Sequence, residues 1–138
     1  MNENNTPNSN WTRLVLKLAG AYNLLWGAWV VLFPNAFFVW AEMEVPNYPA
    51  IWQSVGMVVG CYGLAYWLAS YNPYKHWAII LVGFLGKLCG PIGLMWAYWQ
   101  GSLPLIFGVH NIGNDVIWLV PFAVILYKAY RANGWRLD

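Results

Sequence analysis

A chain of 138 residues, 60% of them hydrophobic and only 9% charged, departs far from soluble domains, in which roughly a quarter of residues carry charge. A soluble core cannot hide that much apolar surface, so one compact membrane domain is expected, with lipids as its surroundings. The net charge of +2 is too small to hold nucleic acid and excludes that class of partner.

The first ten residues, MNENNTPNSN, are polar and Asn-rich and lack the basic start of a signal peptide. They are predicted to be a disordered tail, with residues 11–138 forming a single four-helix domain. Segment one, about 12–33, runs TRLVLKLAGAYNLLWGAWVVLF and closes at Pro34; a bilayer core needs roughly 20 helical residues. Asn35–Met43, aromatic with one acidic residue, suits a short helix lying in the interface. VPNYP then makes a rigid turn. Segment two spans about 50–70, segment three about 76–99, and a tight QGSLP link leads to segment four, about 104–127. Pro91 is placed to bend segment three. The tail KAYRANGWRLD is basic and aromatic.

Four spans return both termini to one side. Arg13, Lys17, Lys75, Lys128, Arg131 and Arg136 fall on that side, whereas the opposite side carries only Glu42 and Glu44. The positive-inside rule therefore predicts a multi-pass protein of the inner (cytoplasmic) membrane with both termini cytoplasmic. The 11 Trp and 9 Tyr concentrate near segment ends, as an interfacial aromatic belt places them.

Small residues mark packing faces. In segment three Gly83, Gly86, Gly90 and Gly93 form a ridge, and Gly56 with Gly60 does the same in segment two; in lipid such ridges let helices approach closely. The same ridges suit contact with a second copy or a partner membrane protein.

The polar residues inside the apolar segments carry the functional question, since they are expensive in hydrocarbon and turn toward a bundle or cavity. In segment four His110, Asn111, Asn114 and Trp118 share a helical face with Asp115 beside them. Segment three contributes Lys87. Counted from the link near Gly101 and Ser102, Lys87 and Asp115 both lie about 20 Å away, so the hairpin is placed to pair them. The pair is either a static clamp that fixes register, or a proton or ion relay or counter-charge to a ligand. The same arithmetic sets Gln53, His110 and Asn111 above Asn23, Asn114, Lys87 and Asp115. They outline a polar pocket opening outward, which is either a ligand- or water-filled cavity or a satisfied polar core.

No metal site is expected. Cys61, Cys89 and His110 have no ligand spacing, His76 sits at the inner interface, and buried cysteines commonly serve as core residues. Phosphate-cradling loops, nucleophile elbows and Cys-x-x-Cys are missing, which disfavours an enzymatic role. Three functions compete: binding or transport of a small polar or anionic solute or of protons; a redox component holding haem, quinone or another chromophore through His110 and the aromatics; and a structural accessory subunit using the glycine ridges.

The stretches YNLLWGAWVVLFP, VPNYPAIWQSVGMVVGCYGLAYWLA, NPYKHWAIILVGFLGKLCGPIG and NDVIWLVPF together resemble a group of small bacterial four-helix membrane proteins that often carry the label alkyl hydroperoxide reductase. The resemblance covers nearly the whole chain beyond residue 10. It implies the four-helix fold and supplies no catalytic residue, because neither cysteine sits in the threonine-to-cysteine motif of peroxiredoxins. The layout is also similar to DoxX-like four-helix proteins, which are associated with sulfur and redox physiology.

Overall fold

The structure is a computed structural model and describes residues 9–136. All regular structure among them is helical. Helix α1 runs Ser9–Leu32, α2 Ala36–Trp40, α3 Pro49–Ala69 and α4 Trp77–Trp99; α5, Ile106–Asn111, continues through a π-helical turn, Ile112–Val116, into α6, Ile117–Asn133. Three stretches, Asn10–Leu32, Trp77–Trp99 and Ile106–Ala132, are long and apolar enough to cross a membrane. Helix α3 has 21 residues, but Gln53, Ser54 and its Trp and Tyr residues lower its mean hydropathy.

Two element boundaries differ from the sequence expectation. Ser9 and Asn10 belong to the first turn of α1 rather than to a tail; the remaining tail residues lie outside those described. At the other end the helix does not stop near Tyr127. It carries the basic segment to Asn133 and ends where Gly134 adopts the left-handed conformation at φ 58°, the usual stop for a helix C-terminus. Helix α4 runs unbroken through Pro91.

Helices α1 and α3 form one tightly packed pair, and α4 packs chiefly on the π-turn and α6. The first pair is closed by glycine. A Cβ on Gly20 would lie 2.8 Å from the Gly63 carbonyl, and one on Gly63 equally close to the Gly20 carbonyl. Gly27 faces Gly56 in the same way, its Cβ falling 2.5 Å from the Gly56 carbonyl. Gly20 and Gly27, like Gly56 and Gly63, are seven residues apart, two helical turns, so each pair meets the facing helix along one seam.

The pairs join at one end around Leu16, Tyr66, Ile80, Phe122 and Ile125. The same end gathers the basic residues: Lys128 Nζ lies 5.0 Å from the Trp11 ring centre and Lys17 Nζ 5.9 Å from that of Tyr71. Trp77 Nε1–H donates to the Arg136 carbonyl at 2.9 Å. At the other end α2 lays Phe37 and Phe38 against Trp52, and Phe37 also meets Phe107 and His110.

Candidate functional site

Between the aliphatic end and the aromatic end lies a polar layer. Lys87, 5% exposed, projects from the middle of α4 toward the π-turn. Its Nζ donates to the Asn114 carbonyl at 2.7 Å and stands 3.7 Å from Asp115 Oδ1. The other carboxylate oxygen, Oδ2, accepts from Asn111 Nδ2 at 2.6 Å. The sequence arithmetic placed Lys87 opposite Asp115, and the two do meet; the shortest contact of the lysine, however, is to backbone.

That contact depends on a local irregularity. In the π-turn the Ile117 N–H reaches the carbonyl of Ile112, five residues back. The wider turn presents the Asn114 carbonyl and the Asp115 carboxyl together toward α4. Such single turns recur at functional sites. Gly90 leaves room for the carboxylate, since a Cβ there would collide with Asp115 Oδ2.

Asn23, Lys87, Asn114 and Asp115 line a cavity of about 270 Å³. Its other walls come from Val55, Val58, Val59 and Tyr62 on α3 and from Gly83 and Gly86 on α4, with Tyr66 at the base. Asn23 is 3% exposed, and neither its Oδ1 nor that of Asn114 finds a hydrogen-bond partner among the described residues. A buried amide oxygen without a donor is costly, and such groups call for an explanation.

Of the remaining residues of the predicted pocket, Asn111 joins this layer through Asp115, and the others are engaged elsewhere. His110 Nε2 accepts from Trp26 Nε1–H at 2.7 Å, and its ring packs 4.7 Å from that of Phe37. Gln53 Nε2 donates to the Val31 carbonyl at 2.8 Å. Trp118 packs its ring 6.0 Å from Tyr22, with Nε1 buried and unpartnered. Asn111 borders a second, apolar groove of about 380 Å³ between α4 and α5. Instead of widening outward, the polar layer is capped by rings on that side, and the exposed rim of the cavity lies on the flank between α3 and α4.

The glycines of α4 separate into two roles. Gly83 and Gly90 abut Tyr66 and Asp115, whereas a Cβ on Gly86 or Gly93 would meet nothing within 4 Å. Gly60 likewise has open space where its Cβ would be, although Gly27 approaches its backbone. Cys61 and Cys89 are exposed free thiols.

Sequence reasoning missed the valine and tyrosine wall of α3. Val55, Val58, Val59, Tyr62 and Tyr66 follow helical spacing, but in a helix apolar on every side that stripe has no contrast. The partnership of Trp26 with His110 also carries no local signal, because the two are 84 residues apart. Comparison with protein families, curated proteins and solved structures finds no match to this chain.

Proposed function

We propose that this chain is a four-span protein of the bacterial inner membrane that binds, and in binding carries, a small polar or anionic solute or a proton at the Lys87–Asp115 cavity. In this reading α3 is the fourth span, α2 lies in the outer interface and both termini are cytoplasmic. The distribution of basic residues, six of the seven (all but Lys87) falling toward the termini and the α3–α4 loop, supports the orientation. The likeness to small bacterial four-helix membrane proteins agrees with it.

One observation carries the functional reading. A cavity of about 270 Å³ adjoins a buried lysine and carboxylate and two amide oxygens with no donor. A merely structural pair needs no cavity beside it, and a well-packed core leaves few buried acceptors bare. The chromophore alternative draws on His110, whose Nε2 is already taken by the Trp26 indole. Four helices enclose little volume, so self-association or a membrane partner belongs to the proposal.

Purified protein in liposomes tests this reading. Proton- or anion-dependent flux is expected, abolished by Asp115→Asn and by Lys87→Met. Flux that survives both substitutions in folded protein would overturn the proposal.

A further inference from the structure

The exposed part of the cavity's lining lies across the helix axes. Beyond it toward one end of the bundle stands the ring cluster of Trp26, Phe37, Trp52, Phe107 and His110. Toward the other lie Tyr66, Phe122 and Ile80, none more than 2% exposed. What remains is the cleft between α3 and α4, the members of different pairs. Its rim is formed by Val55, Val58 and Gly86, all exposed. Val58 follows Pro49 by nine residues, and Gly86 follows Trp77 by nine. Both rim positions are therefore about 14 Å along their helices, close to half of the roughly 30 Å hydrocarbon thickness. With α3 as the proposed fourth span, an opening at that depth faces acyl chains and neither aqueous phase.

The floor specifies a head group. Lys87 supplies N–H donors, and the Asn23 and Asn114 side-chain oxygens are acceptors without donors. An anionic head brought here meets Asp115, and a cationic one meets Lys87. A hydroxyl avoids both penalties: its O–H donates to an amide oxygen while its own oxygen accepts from Lys87. A volume of about 270 Å³ falls just below the range of roughly 300–1,000 Å³ for sites that enclose a whole drug-sized ligand. It suits a ring-sized head whose tail lies out between the helices. Asn23 strengthens the case, since it lines the cavity, is almost wholly buried and carries an oxygen with no partner among the described residues.

We infer that the ligand is an uncharged, lipid-soluble molecule with a hydroxyl-bearing, ring-sized head and an apolar tail, entering sideways from the membrane through the α3–α4 cleft. This rests on the reading of the Lys87 cavity as a binding site and replaces its small polar or anionic solute with a neutral amphiphile.

The test uses the full chain in liposomes and an alkylphenol with a photoactivatable diazirine in its alkyl chain, beside a phospholipid carrying the same group. Saturable labelling by the alkylphenol is expected, mapped by mass spectrometry to α3 and α4 and competed by unlabelled alkylphenol. Lys87→Met is expected to lower it about tenfold, the worth of a hydrogen bond to a charged group, and Val58→Trp, which narrows an exposed rim, to lower it about as much by obstructing entry. Val120→Trp, on an exposed face of α6, should leave it unchanged. Should Lys87→Met fail to fold, Asn23→Leu serves as the head-group variant, with the same loss expected. Unsaturable labelling, or equal and competable labelling by the phospholipid, overturns the inference. Labelling that survives Val58→Trp but not Lys87→Met overturns the sideways route. If the alkylphenol fails while flux still requires Lys87 and Asp115, the inference falls and the transport reading stands; if flux fails as well, both fall.

Discussion

Lys87 illustrates how one side chain imposes conditions on many others. A lysine at the middle of an apolar helix is tolerated only when its amino group is met, and here the Asn114 carbonyl and the Asp115 carboxylate meet it. Removing one partner of a buried pair strands the other. Asp115→Ala is therefore expected to cost about 3–5 kcal/mol, measured by reversible unfolding in mixed micelles. Lys87→Met combined with Asp115→Leu should recover most of that loss, because the pair disappears together with its desolvation penalty. Trp26 and His110 give a milder case. Trp26→Phe keeps an aromatic ring but deletes the N–H that His110 accepts, so a loss of about 1 kcal/mol is expected in the same assay.

At the level of elements, packing is decided by which glycines face backbone. A methyl on Gly63 would lie 2.8 Å from both the Gly20 carbonyl and the Leu24 nitrogen, and neither can yield without parting α1 from α3. Gly63→Ala should destabilise by about 1–3 kcal/mol. Gly60→Ala, only three residues earlier, places its methyl in open space and should be neutral or stabilising by up to about 1 kcal/mol. Thermal unfolding of the two variants side by side checks the contrast. Their difference shows what the chain could and could not announce. Glycine spacing flagged Gly56 and Gly60 as one face, yet Gly60 contributes backbone alone, and the deeper seam pairs Gly56 and Gly63 with Gly27 and Gly20. Which of several equally spaced glycines touches its neighbour depends on the rotation of the partner helix, which no local pattern encodes. Lys87 and Asp115 were legible because charges in apolar segments are rare and the tight link sets their register. The α3 wall was not, since valine among valines has no contrast.

Taken whole, the molecule is two helical pairs that share an aliphatic base and an aromatic cap. The base carries the positive charge: Trp11 with Lys128, Tyr71 with Lys17, and Trp77 with Arg136 bring the chain ends and the α3–α4 loop together. A reporter active only outside the cytoplasm is expected to be silent when fused at either terminus and active when inserted at Asn47, between α2 and α3. Activity at either terminus would reverse the proposed orientation. The polar layer separates cap from base and is reached through the cleft where the pairs diverge, so the looser contact between α3 and α4 is part of how the site is built.

The π-turn at Ile112–Val116 has a genetic meaning beyond its geometry. Such a turn is what a helix makes of one residue more than its α-repeat accommodates. Deleting a single codon there would let the rod run as regular helix with its apolar character intact and the residues beyond it facing as before, while the widening that turns Asn114 and Asp115 toward α4 would be lost. Two chains differing by that one codon would share a fold, and only the longer would present Asn114 and Asp115 to Lys87. Chain length at this turn is thus a heritable switch for the site, separate from the identity of any residue in it.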